Sequence, residues 1–130
     1  MANYIDGFVL PVPRKHLATY QRAAEKIADI WREHGALAYV ECVGDDLELD
    51  GARSFTDLVD ATEDEVVVFG WTVFPSREVR DRANARVPED PRMPNLVAPL
   101  TDPATQVFDA GRMVFGGFRS IVQSQWQDAV

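Results

Sequence analysis

The stretch Val66–Met93, VVVFGWTVFPSREVRDRANARVPEDPRM, decides the fold of this chain. It opens with an apolar run that predicts a strand over residues 65–74. Ser76 follows as a favourable N-cap residue, and a helix is predicted over about residues 77–87. A strand end, a helix start and a group of polar side chains therefore meet at one point in the sequence.

Three further strands and one longer helix are predicted on either side of this stretch. Residues 3–12, 36–43 and 112–121 are rich in aromatic and β-branched side chains, which is typical of strands. Apolar side chains recur at steps of three and four over residues 14–34, which predicts an amphipathic helix. Gly35 is a suitable residue to end that helix.

The remaining segments are predicted to be connections. Residues 45–63 are polar, with a short helical turn predicted at 55–59. Three prolines follow the second helix and predict irregular structure, namely Pro88, Pro91 and Pro94. Residues 95–110 are predicted to be mostly loop, with a turn of helix at 103–108.

The order strand–helix–strand–strand–helix–strand predicts an α+β fold. This βαββαβ order is the ferredoxin-like pattern. Right-handed crossovers then place both helices on one face of a four-stranded antiparallel sheet. At 130 residues the chain has the length of one domain, so a single ferredoxin-like domain is predicted over residues 1–130.

The predicted strands are apolar on both faces. Alternation in the third strand separates two largely apolar sets, which are Val67, Phe69, Trp71 and Val73 against Val66, Val68, Thr72 and Phe74. Since two helices cover only one face, the other face is predicted to pack against a second copy, which makes a homodimer through the sheet faces. The alternative is that residues 95–110 or the C-terminal segment cover that face.

The formal net charge of −8 is concentrated in one segment. Residues 45–65 contain nine acidic side chains and one basic side chain, whereas the rest of the chain is balanced. No basic stripe is present to neutralise phosphates, so no nucleic-acid partner is expected. No apolar run approaches the ~20 residues of a membrane helix, and no signal peptide is recognised. Together with the single Cys42, these features predict a cytoplasmic protein without membrane contact.

The sequence predicts no metal site. The acidic run 46–51, followed by Asp57, approximates the spacing of an EF-hand calcium loop. However, Asp57 replaces the usual bidentate glutamate, and the segment before the run is predicted to be a strand. His16 and His34 lie at opposite ends of the first predicted helix, so they cannot share a site within one subunit.

Glu41 is the first candidate for acid–base catalysis. Strand alternation places it on one face with Leu37, Tyr39 and Val43. A carboxyl group among apolar neighbours has a raised pKa and can exchange a proton. The alternatives are that Glu41 pairs with an arginine or lies at a solvated strand end.

Arg80 and Asn84 are the main candidates for ligand binding. They border the inward stripe of the second helix, and their planar donors suit a carboxylate or a carbonyl group. A ligand between helix and sheet would then have Trp71 as a wall, and Arg92 could close over the same side. Asp81 lies nearby and is a weaker candidate for catalysis. The alternative is structural, with Arg80 and Asp81 in ion pairs and Asn84 capping a loop.

Four motifs resemble the DUF1428 (YbaA-like) family of small bacterial proteins. They are YIDGFVLPVP, YVECVGDD, GWTVFPSREVRDRANARVPEDPRM and RMVFGGF, and they span nearly the whole chain. Their most specific part combines Pro75, Ser76, Arg80, Asp81 and Asn84. The family resembles the dimeric α/β-barrel superfamily, which implies a sheet-to-sheet dimer of ferredoxin-like subunits.

The resemblance implies a fold more strongly than a function. Relatives in that superfamily include cofactor-free monooxygenases, isomerases, haem enzymes and proteins without known activity. A haem site would need a well-placed imidazole, and both histidines lie in terminal turns of the first predicted helix. No cofactor is therefore expected.

Three functions are compatible with these features. The first is a homodimeric small-molecule-binding protein with its pocket between sheet and helices. The second is a cofactor-independent monooxygenase or isomerase that acts on a small organic substrate. The third is a dimeric structural or stress-related interaction module. A buried acid in the pocket with a raised pKa, from Glu41, Asp6 or Asp81, would favour the enzyme, whereas the lack of any pocket would favour the interaction module.

Overall fold

A computed structural model describes residues 2–124 of the chain. Within these residues the sheet has four strands, and each neighbouring pair is antiparallel. The strands are β1 (Tyr4–Pro13), β2 (Ala38–Val43), β3 (Glu65–Phe74) and β4 (Val114–Arg119). Their order across the sheet is β2-β3-β1-β4, so the two long strands lie in the middle. The predicted four-stranded antiparallel sheet is confirmed.

Helices connect these strands. They are α1 (Leu17–Glu33), α2 (Phe55–Leu58), α3 (Arg77–Arg86) and α4 (Met93–Thr101), with 3-10 turns at Arg14–His16 and Val87–Glu89. Ser76 Oγ accepts a hydrogen bond from the Val79 amide at 3.2 Å, which confirms its predicted role as the N-cap of α3. Gly35 follows α1 with φ of 107°, a left-handed conformation that favours glycine. Within residues 2–124, no helix combines the length and the apolar character needed to cross a membrane.

The helix α4 corrects the prediction of a loop over residues 95–110. Pro94 lies in the first turn of α4, where its missing N–H breaks no hydrogen bond. Pro99 lies inside the helix, and the helix nevertheless forms because it buries Leu100 in the core. Residues 103–105 form a turn in place of the helical turn predicted at 103–108.

The main core lies between the sheet and the helices. Leu10 of β1 and Val68 of β3 point to this side, where they belong to one buried cluster with Ala23 of α1 and Leu100 of α4. Apolar residues that recur at helical spacing in α1 and at every second position in the strands thus meet in one layer. This face of the sheet is covered by α1 and α4, and Ala83 of α3 packs against Phe74 on the same face.

The opposite face of the sheet is only partly covered. The connection between β2 and β3 packs Val59 against Val9 and Val67 on this face. Beyond this contact, Phe69 and Phe118 remain exposed. We call the exposed apolar part of this surface the open face, which comprises Cys42, Phe69, Val114 and Phe118.

Residues 95–110 are one of the predicted alternative covers for the open face. This alternative is wrong, because Leu100 and Val107 pack into the core on the opposite face of the sheet. The C-terminal segment is the other candidate cover. Its residues 125–130 lie outside the described residues.

Candidate functional site

A cavity of about 390 Å³ lies between the sheet and the helices α1 and α4. Its floor includes Phe8 and Thr72 from the central strands, and its walls include Ile27 of α1 and Val97 of α4. Small-molecule sites are typically clefts of ~300–1,000 Å³ with mostly apolar walls and a few convergent polar groups. The size and lining of this cavity fit that description.

Aromatic rings form part of the cavity wall. The ring centroid of Phe8 lies 6.3 Å from that of Tyr39 and 6.3 Å from that of Phe115. The planes of Phe8 and Phe115 differ by only 16°, so these two rings are stacked. Phe115 lines the cavity and is half exposed, which indicates that the cavity opens to solvent beside β4.

A first carboxyl group in the cavity belongs to Glu41 of β2. The Tyr20 hydroxyl donates a short hydrogen bond to Glu41 Oε1, and the Tyr39 hydroxyl donates to Oε2 at 2.7 Å. Tyr39 lies two residues before Glu41 and points to the same side of the sheet, whereas Tyr20 reaches Glu41 from α1. We call these three residues the Glu41 cluster. Among the described residues, no basic side chain forms an ion pair with Glu41.

The Glu41 cluster holds its carboxyl group in an unusual electrostatic state. Burial raises the pKa of Glu41, and the hydrogen bonds from Tyr20 and Tyr39 lower it by a smaller amount, so the pKa lies above its ordinary value. Burial and the nearby Glu41 raise the pKa of both tyrosine hydroxyls, so both remain protonated donors. Glu41 is therefore a carboxyl group that can exchange a proton inside a largely apolar cavity.

The Glu41 cluster also borders a second cavity of about 360 Å³ on the β2 side of α1. Ala24 of α1 lines both cavities together with the three members of the cluster. The cluster thus lies between two spaces that contact the same carboxyl group.

A second carboxyl group belongs to Asp6 of β1, which is 2% exposed and also lines the larger cavity. Arg80 Nε donates to Asp6 Oδ1 at 2.9 Å, and Asn84 Nδ2 donates to Asp6 Oδ2 at 3.4 Å. We call these three residues the Asp6 cluster. Asn84 Oδ1 is buried and accepts no hydrogen bond within residues 2–124. In contrast to Glu41, the buried charge of Asp6 has a cation beside it.

Gly117 of β4 leaves the space that Arg80 needs. A Cβ atom at this position would lie 2.7 Å from Arg80 Nη2 and 2.7 Å from the Tyr4 hydroxyl oxygen. The guanidinium carbon of Arg80 also lies 5.2 Å from the centroid of the Tyr4 ring, within the range of a cation–π contact. These contacts connect α3 to both β1 and β4.

The structure brings two of the predicted ligand-binding residues together. Arg80 and Asn84 both bind Asp6, and neither lines the 390 Å³ cavity. Asp81 pairs with Arg80 Nη1 at 2.9 Å on the surface, where its side chain is about half exposed. Arg80 and Asp81 thus form the ion pair of the structural alternative. The predicted ligand role of Arg80 and Asn84 and the catalytic role of Asp81 stay predictions.

Trp71 and Arg92 lie apart from this pair. Trp71 lies on the other side of the sheet, where its ring centroid is 5.5 Å from that of Phe69. Arg92 donates to Glu33 at 2.9 and 3.0 Å and to Asp90 at 2.8 Å, near the C-terminal end of α1. The hydrogen bonds from Arg92 hold the pKa of Asp90 below its usual range. Among the residues that the structure describes, Arg80 and Trp71 lie on opposite sides of the sheet and do not bound one pocket.

Sequence reasoning did not identify the tyrosines of the Glu41 cluster as its hydrogen-bond donors. The position of Tyr39 two residues before Glu41 on one strand is a signal that could have found one of them. Tyr20 belongs to the apolar stripe of α1, and only the packing of α1 on β2 reveals its contact with Glu41.

No group of three or more histidine, cysteine, aspartate or glutamate side chains is placed to hold a metal ion in residues 2–124. The acidic run 46–51 precedes the short helix α2 and has no helix directly before it.

Comparison with known proteins identifies relatives over nearly the whole chain. A family model described as "Protein of unknown function (DUF1428)" matches residues 3–109. The uncharacterized protein YbaA of Escherichia coli K12 is 41% identical over 120 residues, which cover 92% of this chain and 97% of YbaA. YbaA of Shigella flexneri matches equally well.

Two solved structures share the fold. One is a NIPSNAP family protein of unknown function from Agrobacterium tumefaciens, with a TM-score of 0.52 and 15% identity, covering 92% of this chain and 87% of that one. The other is a dimeric ferredoxin-like protein from an uncultured marine organism, with a TM-score of 0.50 and 12% identity, covering 97% of this chain and 100% of that one. Identities this low support a common fold and no more.

Proposed function

The chain belongs to the DUF1428 family of proteins of unknown function, and we propose that it is a homodimeric binding protein for a small, largely apolar molecule. The observation that carries the proposal is the cavity of about 390 Å³ between the sheet and α1 and α4. Its apolar walls supply the binding energy, and its few polar groups orient the ligand. The presence of such a cavity speaks against a purely structural interaction module.

The test of ligand binding uses Ala24, which lines both cavities. The substitution Ala24→Leu fills space in the cavities, and Ala18→Leu makes the same change at an exposed position of α1. Ligand-observed NMR with 2-phenylethanol as the probe, and native mass spectrometry of protein from its own host, report binding. We expect the wild type and Ala18→Leu to bind and Ala24→Leu to bind at least ~10-fold more weakly. Equal binding by all three proteins would contradict the proposal.

The dimer is the second part of the proposal. We propose that two ferredoxin-like βαββαβ subunits pack their open faces together, as in a dimeric α/β barrel. The open face exposes Phe69, Val114 and Phe118, and several large apolar side chains exposed on one face are typical of interfaces. One of the solved structures that share the fold is described as dimeric. The proposal places this dimer in the cytoplasm, in keeping with the single Cys42.

Light scattering at micromolar concentration tests the dimer. Phe118 and Leu37 are equally exposed, at 62% and 61%, but only Phe118 lies on the open face. We expect the wild type and Leu37→Asp to be dimers and Phe118→Asp to be a monomer. A monomeric wild type, or a dimer that persists in Phe118→Asp, would show that the open face is not the interface.

A second candidate function is a cofactor-independent enzyme, such as a monooxygenase or isomerase, and Glu41 favours it. A carboxyl group with a raised pKa in an apolar cavity can remove a proton from a bound substrate and return it. Under this alternative Glu41→Gln removes turnover of a neutral substrate but leaves its binding intact.

A further inference from the structure

We propose that the ligand of the 390 Å³ cavity is a small organic cation, an apolar body carrying a protonated amine that binds at Glu41. This inference rests on the proposed binding function and names the chemical class of the ligand. It is carried by the charges, the hydrogen-bonding capacity and the aromatic rings that the cavity presents.

The charged side chains that line the two cavities are all acidic. Asp6 and Glu41 line the larger cavity, and Glu25 and Glu41 line the smaller one. No lysine, arginine or histidine of the described residues lines either space. A cation entering the larger cavity therefore has acidic side chains in the wall to bind, whereas an anion finds no basic side chain there.

The two carboxyl groups of the larger cavity differ in whether a basic side chain neutralises their charge. Asp6 already has Arg80 and Asn84, so its charge is compensated within the protein. Glu41 has only the two neutral hydroxyls of Tyr20 and Tyr39. A partly buried carboxylate without a cation is destabilised by lost hydration, and a bound ammonium group would offset that loss.

Glu41 lines the cavity and keeps hydrogen-bonding capacity for such a donor. A carboxylate has about four lone-pair positions, and the two tyrosines occupy one on each oxygen. The free positions on Glu41 can accept from an ammonium group, which has up to three N–H donors. The hydroxyl oxygens of Tyr20 and Tyr39 donate their own protons to Glu41 and can still accept.

Aromatic rings close to the Glu41 cluster suit a cation with an apolar body. Tyr39 belongs to the cluster, and Phe8 and Phe115 extend from it as a row of neighbouring rings at 6.3 Å spacing. The faces of such rings attract cations and pack against hydrocarbon. An anionic ligand has no comparable support, because Arg80 is already engaged by Asp6 and Asp81.

The experiment compares three probes of similar size and different charge, which are 2-phenylethylamine, 2-phenylethanol and 3-phenylpropanoate. Isothermal titration calorimetry at neutral pH measures their binding to the wild-type protein and to two variants. Glu41→Gln removes the proposed partner of the amine. Asp29→Asn is the matched control, because it removes one negative charge from an exposed position of α1 that lines neither cavity. Circular dichroism verifies that each variant is folded.

We expect the wild type and Asp29→Asn to bind the amine at least ~10-fold more tightly than the alcohol, and the alcohol more tightly than the acid. In Glu41→Gln the affinity for the amine should fall to that for the alcohol, and the affinity for the alcohol should not change. If the alcohol or the acid binds as tightly as the amine, the ligand class is wrong and the binding function stands. If none of the three probes binds at ~10 mM, the binding function itself is overturned.

Discussion

The Asp6 cluster and the Glu41 cluster place two carboxyl groups in the same cavity, but the two groups have different hydrogen-bond donors. Asp6 is bonded by a guanidinium group at 2.9 Å and by an amide. Glu41 is bonded by two tyrosine hydroxyls, and burial raises its pKa. Both carboxyl groups accept a hydrogen bond on each oxygen, but only Asp6 also has a cation beside it.

This difference indicates two different roles. The buried ion pair of Asp6 and Arg80 connects β1 to α3, and removing one partner leaves the other as an unpaired buried charge. An uncompensated carboxyl group adds little to the folded state and keeps its reactivity for a ligand or a proton. Four predictions test the comparison. All are measured by urea denaturation at one fixed protein concentration, because the proposed dimer would make the free energy of unfolding depend on concentration.

The largest effect is expected for Asp6→Asn. The substitution leaves Arg80 with only the exposed Asp81, so we expect the free energy of unfolding to fall by about 2–4 kcal/mol. The control Asp81→Asn breaks a pair on the exposed side of Arg80 and should cost no more than about 1 kcal/mol. Equal losses in the two variants would mean that burial does not distinguish these ion pairs.

Glu65 provides a compensated carboxyl group whose pH dependence should oppose that of Glu41. Hydrogen bonds from Arg112, at 2.6 and 2.8 Å, lower the pKa of Glu65 to about 2 from 4.5. The folded state then binds fewer protons than the unfolded state, so this stabilisation is present above pH 4.5 and is lost as the pH falls toward 2.

We therefore expect Glu65→Gln to lower the free energy of unfolding by about 1–2 kcal/mol at pH 7 and by little near pH 2. The value at pH 7 is reduced because Arg112 is partly exposed and water screens the pair. The measurement is the difference between wild type and variant across this pH range. A difference that does not shrink on acidification would show that the ion pair is not its source.

An effect of similar size is expected for Gly117→Ala, which disturbs the Asp6 cluster from β4. The new methyl group would lie 2.7 Å from Arg80 Nη2, so the arginine must shift, and we expect a loss of about 1–2 kcal/mol. Gly116→Ala is the control, because the nearest atom to its new methyl group is at 3.6 Å, an ordinary contact. A loss in Gly116→Ala as large as that in Gly117→Ala would point to the strand backbone instead of Arg80.

The smallest effect is expected for Glu41→Gln, whose unfolding free energy at pH 7 should stay within about 1 kcal/mol of the wild type. The substitution leaves no cation without its partner, and it removes a charge that is only partly buried. Because the folded pKa of Glu41 is raised above 4.5, the wild type should lose stability relative to the variant as the pH rises through that folded pKa. A loss comparable to that of Asp6→Asn would place Glu41 among the structural carboxylates.

Much of the fold could be predicted because it depends on local patterns. The strand over residues 65–74 and the N-cap at Ser76 follow from an apolar run and one hydroxyl group, and both are confirmed. The helix α4 was not predicted, since its proline-rich sequence disfavours a helix and the burial of Leu100 that favours it is a tertiary contact.

The candidate site could be predicted only in fragments. Glu41 was identified from its apolar strand neighbours, and Arg80 and Asn84 from their place beside the inward stripe of α3. Alternation correctly grouped Trp71 with Phe69 on one face of the sheet. It did not show which face the helices cover, because both faces of β3 are apolar. Trp71 lies on the side away from the cavity.

The sequence by itself determined the four strands, the helices α1 and α3, the apolar character of both sheet faces and the family, since these are recorded in the spacing and identity of neighbouring residues. Only the tertiary structure decided which charges are compensated. Asp6 and Arg80 are 74 residues apart, and Tyr20 and Glu41 are 21 residues apart. Electrostatic compensation depends on distance in space, so the contrast between the two clusters appears only when the helices lie on the sheet.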